Sequence, residues 1–401
     1  MSGLAEVNEK IYTVAQAGAP LRPKRERKMK LVFLLRSMTM GGAQRQLIGL
    51  VSRMDRSLFE IIIISLYSGG AFAEQLKTTG IRTISLEKKG RWDLFRSLAR
   101  LAAVTRRLEP DILHSLSPAT NVLAAMLKRA LPKTRIVWGI RGSDIAGRQM
   151  DWIDKFNLKL QAKLSRSANL VIFNSYAGRD YHVRNGIPAD RAVVIPNGID
   201  TEKFKPDTQL RQGQRARWQV NEESRLLGIV GRIASVKDHF TFLRAAAIWG
   251  RCARDVKFIC IGDGEESYAQ TLRKMSCDLG LQERIIWTGP ILDEIPSAYT
   301  GLDISCNSSK TEGTSNSIAE AMACGVPCVV TDVGDSRHIV GDCGVVVAPG
   351  NPDALAEGFS RMAQLLREQP EIRARARERI QLEFGVNLLV ERTSEALLSL
   401  S

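Results

Sequence analysis

From Lys30 onward the chain alternates between two hydrophobic periods. Short runs of β-branched and large apolar residues recur: KLVFLLR (30–36), FEIIIISL (59–66), DILHSL (111–116), RIVWGI (135–140), NLVIFN (169–174) and AVVIP (192–196). Each has the length and continuity of a strand buried on both faces. Between them lie stretches of helical period, such as QRQLIGLVSRM and DLFRSLARLAAVTRRLE. Continuous apolar strands alternating with amphipathic helices predict βαβ units and a parallel sheet covered on both sides.

The pattern breaks and then repeats. PNGID (196–200) is turn chemistry, and residues 207–224 (DTQLRQGQRARWQVNEES) are polar with no strand pattern, which points to a boundary near 195–220. A second series follows: RLLGIVG (225–231), VKFICIG (256–262), RIIWTG (284–289), LDISC (302–306), PCVVT (327–331) and GVVV (344–347). The predicted class is α/β, with two doubly wound Rossmann-like domains across a cleft. The expected bounds are a mobile basic tail (1–29), a first domain (30–200), a linker region (201–224), a second domain (225–385) and a C-terminal helix (386–401) packing back toward the first. In such sheets ligands bind beyond the carboxyl ends of the strands.

Composition narrows the classes. At 401 residues and 44% apolar content, two domains can each bury a core. The basic run Arg22, Lys24, Arg25, Arg27, Lys28, Lys30 lacks the apolar stretch of a signal peptide, and FEIIIISL is far short of the ~20 residues of a membrane-spanning helix. These features, with seven cysteines mostly inside strand-like or helix-like segments, lead to an expected cytoplasmic location with reduced, buried thiols. Cys324 and Cys328 are spaced C-x3-C without a second pair, so no metal site is expected. Residues 1–200 hold 33 Lys/Arg against 16 Asp/Glu, a charge of +17, while residues 201–401 hold 24 against 27, a charge of −3. A basic half calls for an anionic partner, either a phosphate-bearing substrate or an anionic membrane leaflet. Nucleic acid is not expected, because 6% aromatics and no zinc-finger or RNP pattern leave little for base stacking.

Candidate chemistry clusters where strands end. Gly41 and Gly42 precede a helical pattern after the first strand, where backbone amides could approach an anion; a plain tight βα turn explains them equally. The first strand of the second series ends in GRIASVKD, so Gly231, Arg232 and Lys237 lie in a small loop before a helix starting near Asp238. Two cations there can neutralise a diphosphate and its leaving charge, although a solvated basic loop is the ordinary alternative. GDGEE (262–266) reads as a turn or a nucleotide contact. The chain contains no G-x-x-x-x-G-K-[ST], no G-x-G-x-x-G after a strand and no D-x-D, which argues against ATPase chemistry, nicotinamide chemistry and the simplest way of holding Mg²⁺ on a nucleotide.

KTEGTSNSIAEAMACGVPCVVTDVG (310–334) carries Glu312 and, eight positions on, Glu320. The amides near Thr314, Ser315 and Asn316 would start a helix and form an anion site. Two starts are open: Ser317-x-x-Glu320 as a capping box, which uses Glu320 structurally, or Thr314 as N-cap, which frees it. Glu312 has no evident structural partner in the sequence.

Together GGAQRQL, PNGID, GRIASVKD, GDGEE and EGTSNSIAEAMACGVPCVVTDVG resemble the retaining glycosyltransferases of family GT4 with the GT-B fold, over about residues 30–400. The resemblance implies a nucleotide-diphosphate sugar as donor and no metal or other cofactor. By it, Glu312 faces the donor sugar, Glu320 accepts from the ribose, and Arg232 and Lys237 hold the diphosphate with help from Gly231 and from the amides of Thr314, Ser315 and Asn316. Gly41 and Gly42 close over the phosphates. It also implies front-face attack, with the departing phosphate helping to deprotonate the acceptor. Two positions depart from the pattern: Arg141 stands where many relatives have histidine, and His338 where they often have glutamate, the latter reading as a structural histidine. Arg141, Asp144 and His114 are the acceptor-side candidates.

The expected function is transfer of a hexose or N-acetylhexosamine, from a UDP-sugar in preference to GDP-mannose, to a lipid-linked or saccharide acceptor in polysaccharide or lipopolysaccharide assembly. The basic helix at 93–108 offers a peripheral contact with an anionic inner leaflet, or is simply a crossover helix packed on its sheet. A non-hydrolysing sugar-nucleotide epimerase and a non-catalytic scaffold of the same fold are the alternatives.

Overall fold

The computed structural model describes residues 27–39, 41–88, 90, 93–141, 152–291 and 294–400. The tail expected at 1–29 therefore lies almost wholly outside the described residues. The chain divides into two compact units, one running to Gly198 and resuming at Val386, the other spanning Ile199–Gly385.

The first unit is a seven-stranded parallel sheet of β1 (Met29–Leu35), β2 (Phe59–Ser65), β3 (Arg82–Ser85), β4 (Ile112–Ser115), β5 (Arg135–Ile140), β6 (Leu170–Phe173) and β7 (Ala192–Val194). Its order is β3-β2-β1-β4-β5-β6-β7. The continuous apolar runs are explained by two-sided burial. Leu31, Phe33, Ile61 and Ile63 feed one core, and Val32, Leu34, Ile62 and Ile64 feed the core on the opposite face. Each such side chain contributes roughly 1.5–3 kcal/mol on burial. β3 escaped the apolar-run pattern because it is an edge strand whose RTIS is mostly exposed.

The second unit has six parallel strands: β8 (Arg225–Val230), β9 (Val256–Ile261), β10 (Ile285–Gly289), β11 (Ile304–Asn307), β12 (Cys328–Thr331) and β13 (Val345–Val347), ordered β10-β9-β8-β11-β12-β13. Both sheets are therefore doubly wound, the class the sequence predicts. The order reverses at β1/β4 and at β8/β11, and crevices open beyond the carboxyl ends of those strands.

Residues 201–224 are not a bare linker. Helix Thr208–Arg217 packs against helix Ile295–Thr300 inside the second unit. Its buried side is polar, which is why no amphipathic pattern betrayed it. Arg215 is 1% exposed, donates to Gly301 O at 3.0 Å and pairs with Asp303 at 3.2 Å. Helix Val386–Leu398 packs on helix Gly42–Arg53 in the first unit. Gly198 permits this approach, because a Cβ there would lie 2.7 Å from Val386 Cα.

Candidate functional site

The loop leaving β8 begins at Gly231, whose φ of +150° suits only glycine. The glycines of GDGEE answer a packing demand, and at Gly262 (φ +144°) a backbone one as well. A Cβ on Gly262 would lie 1.9 Å from Gly231 O, and one on Gly264 equally close to Ile233 O. The two loops are tied by Ile233 N donating to Asp263 O at 2.6 Å. Further along, Asp238 (φ +49°) caps helix His239–Cys252, its carboxylate accepting from the Thr241 amide and, at 2.7 Å, from its hydroxyl. This fixes the backbone next to Lys237.

The loop leaving β11 is laced to that segment. Ser308 Oγ donates to Lys237 O at 2.9 Å, and Lys310 N donates to Val236 O at 2.8 Å. The side chains then meet: Lys237 Nζ forms an ion pair with Glu312 Oε1, and Ser309 Oγ donates to the same oxygen at 2.7 Å. With side-chain exposures of 24% and 13%, the pair is screened less than a surface salt bridge. Glu312 thus has structural partners, contrary to the sequence expectation; Lys237 lies 75 positions away, and Ser309, three residues before, forms no recognisable motif with it. Arg232 sits in the same β8 loop, exposed, with no side-chain hydrogen bond or ion pair to a described residue.

The Glu312 loop is pressed from behind by the turn after β12. Gly334 (φ +55°) would place a Cβ 2.3 Å from Glu312 O, and Asp335 N donates to Gly313 O at 2.9 Å. Helix Asn316–Ala323 follows, with Ser315 as N-cap. Neither start left open by the sequence is used, because Ser315 Oγ is engaged by Asn307 Nδ2 and Ser317 Oγ, both at 3.0 Å. Thr314, Ser315 and Asn316 therefore stand at this helix start, beside Glu312. Glu320, 8% exposed, accepts a hydrogen bond from Tyr299 Oη at 2.8 Å. Nothing in IPSAYTG marked Tyr299 in advance, since it reaches Glu320 from a short neighbouring helix. A hydrogen bond to a charged group is worth about 1.5–3 kcal/mol. Tyr299→Phe is accordingly expected to lower the melting temperature by several degrees, because Glu320 loses a buried donor.

In the first unit, Gly41 and Gly42 stand at the start of helix Gly42–Arg53. Gly41 has an extended φ of −171°, so backbone conformation does not demand glycine there. Gln46 on that helix clamps Gly198 of PNGID, donating to its carbonyl at 3.0 Å and accepting from its amide at 2.8 Å. His114 on β4 and Arg141, directly after β5, come together at a small cavity. His114 is 2% exposed, and burial, with the charge of Arg141, pushes its pKa down to about 3. Asp144 lies outside the described residues. His338 is exposed, its ring edge-on to Phe384.

Among the described residues no group of three or more His, Cys, Asp or Glu could hold a metal ion. A cavity of about 660 Å³ opens at the opposite, amino end of the second sheet, beside Arg225, Asp255 and Asp303, and contains none of the motif residues. The chemistry of the second unit is that of an anion and polyol site: cations Lys237 and Arg232 and two carboxylates around a helix start.

Two family models match the chain. One, described as Glycosyltransferase Family 4, covers residues 40–203, and the other, Glycosyl transferases group 1, covers residues 224–365. The putative glycosyltransferase EpsF of Bacillus subtilis (strain 168) is 24% identical over 317 residues, 76% of this chain and 79% of that protein. A GDP-mannose-dependent alpha-(1-6)-phosphatidylinositol monomannoside mannosyltransferase of Mycolicibacterium smegmatis is 27% identical over 247 residues, 59% of this chain and 63% of that enzyme. The crystal structure of HepE from Anabaena in complex with UDP matches with a TM-score of 0.82 at 23% identity, over 92% of this chain and 100% of that one.

Proposed function

The chain belongs to the family 4, group 1 glycosyltransferases, and we propose that it catalyses metal-independent, retaining transfer of a hexose or N-acetylhexosamine from a nucleotide-diphosphate sugar. The observation that carries this reading is the Lys237–Glu312 pair held beside the start of helix Asn316–Ala323, at the crevice where the second sheet reverses. Lys237 and Arg232 are assigned to the donor diphosphate, aided by Gly231 and the helix-start amides of Thr314, Ser315 and Asn316. Glu312 is assigned to the sugar hydroxyls, Glu320 to the ribose, and Gly41 and Gly42 to the phosphates. As the glycosidic bond lengthens, charge builds on the leaving phosphate, and fixed cations there stabilise the transition state more than the ground state. That phosphate then takes the acceptor proton on the face it leaves, which retains the anomeric configuration.

A UDP-sugar is the preferred donor, supported by UDP in the HepE structure. GDP-mannose, used by the mycobacterial relative, is the competitor. A lipid-linked or saccharide acceptor in cell-surface polysaccharide assembly fits the basic first half and a phospholipid-type acceptor in that same relative. Among the described residues no helix is long and apolar enough to cross a membrane. Helix Leu94–Leu108 buries Leu101 and Leu108 in the sheet core and leaves Arg96, Arg106 and Arg107 exposed, so a membrane contact there would be electrostatic. Flotation is expected with anionic and not with neutral liposomes, and to fade with salt; equal binding to both contradicts it. The donor assignment is tested by thermal shift with UDP, GDP, ADP and CMP in EDTA. A nucleotide at ~100 times its Kd stabilises by about 2.7 kcal/mol, and absence of any shift rejects the assignment.

A further inference from the structure

We propose that the first unit holds a site for an anionic sugar substituent, a carboxylate or phosphate oxygen seated on the guanidinium of Arg141 behind the ring of His114. The inference deepens the transferase reading and rests on it for the saccharide nature of the ligand. Arg141 follows β5 directly, His114 lies on β4 and Asn174 follows β6, so all three converge at carboxyl ends of neighbouring parallel strands. That is where ligands enter doubly wound sheets.

The anomaly is electrostatic. Arg141 Nη1 is buried without a hydrogen-bond partner, and both ring nitrogens of His114 are likewise buried and unpartnered. The space they share is about 20 Å³, walled by Leu116, Ile172, Ile195 and Leu389, with Asn174 and Thr393 as further polar members. No carboxylate among the described residues lines it. Burial lowers the Arg141 pKa, to about 10. His114 is kept neutral and cannot supply the missing charge. A guanidinium in such surroundings is costly unless a counter-charge and its hydrogen bonds are present.

The cavity's size states what can supply them. It accommodates one water-sized atom, and hence one oxygen of an anion but not a sugar ring. Glycine keeps that space open: a Cβ on Gly139 would lie 3.3 Å from His114 Nε2 and 2.6 Å from Leu116 Cδ2. An anionic oxygen could accept from Nη1 in charge-assisted fashion. The saccharide would remain outside, presenting its charged substituent inward. A histidine at position 141 could discharge itself when buried; an arginine cannot, so this chain selects for a ligand that carries charge.

The test is a thermal-shift series on the full chain at constant ionic strength, with glucuronate, inorganic phosphate and glucose as probes, and UDP alongside. Glucuronate or phosphate is expected to raise the wild-type Tm by about 2 °C or more, and glucose not at all. Whichever anion acts identifies the substituent as carboxylate or phosphate. Arg141→Gln should abolish that shift while leaving the UDP shift in place. Arg141→Met, which removes the unpaired charge, should melt about 2–4 °C above the unliganded wild type. Absence of any anion shift, an anion shift that survives Arg141→Gln, or a lower Tm for Arg141→Met would each overturn the site. Loss of the UDP response alone would instead count against the donor assignment and leave this site standing.

Discussion

Lys237→Ala is expected to lower kcat/KM for the nucleotide sugar by about 10²–10³, the loss typical of removing one preorganised group that faces developing charge. Two effects combine in it. The cation assigned to the donor phosphate disappears, and Glu312, which shares its Oε1 between Lys237 and Ser309, loses its ionic partner. Lys237→Arg should restore little, because a planar fork cannot occupy the position of a compact ammonium seated on Glu312 Oε1. The fold should survive, because the two loops are also joined by Ser308 Oγ donating to Lys237 O and Lys310 N donating to Val236 O. Steady-state kinetics with a melting curve on the same preparation separates the two: an active Lys237→Ala enzyme would remove Lys237 from the mechanism.

Glu312→Gln should separate turnover from nucleotide affinity. The amide keeps the shape of the side chain and an oxygen for Ser309, but it no longer neutralises Lys237. Bare UDP carries no sugar for Glu312 to meet, and its diphosphate competes with Glu312 for the ammonium. The Kd for UDP is therefore expected to stay level or tighten a few-fold, while kcat falls about 10²-fold, a loss confined to the transition state. Calorimetry and turnover measured together decide it. Equal losses in both would make Glu312 a general support of the pocket rather than a group facing the sugar.

Much of the fold was legible because burial on both sheet faces demands continuous apolar strands, and β1 and β2 show it most plainly: alternate residues enter opposite cores. β3 was illegible for the complementary reason, being a mostly exposed edge strand. Helix Thr208–Arg217 hid because it buries Gln214 and Arg215 through polar contacts instead of an apolar stripe. At the candidate site, residue types and spacing announced Glu312, Glu320, Arg232 and Lys237. Their partners stayed invisible, because the Lys237–Glu312 pair, the Tyr299 bond to Glu320 and the pressing turn at Gly334 arise only through contacts between separate segments. The start of helix Asn316–Ala323 shows the same limit: two local capping patterns competed, and the long-range bond from Asn307 to Ser315 decided between neither. His114 and Arg141 could be picked out as polar residues at strand ends, but that their buried nitrogens find no hydrogen-bond partner among the described residues is a property of the packed core alone.

The central claim is that this chain moves a sugar from a nucleotide diphosphate with retention and without a metal. The most direct measurement is to incubate it with UDP-glucose, UDP-N-acetylglucosamine or GDP-mannose and a lipid-linked saccharide fraction in EDTA, then read the anomeric coupling of the new linkage by NMR. The account predicts EDTA-resistant transfer giving the same anomeric configuration as the donor. An inverted linkage, transfer only after a divalent ion is restored, or epimerised donor with no product would contradict it.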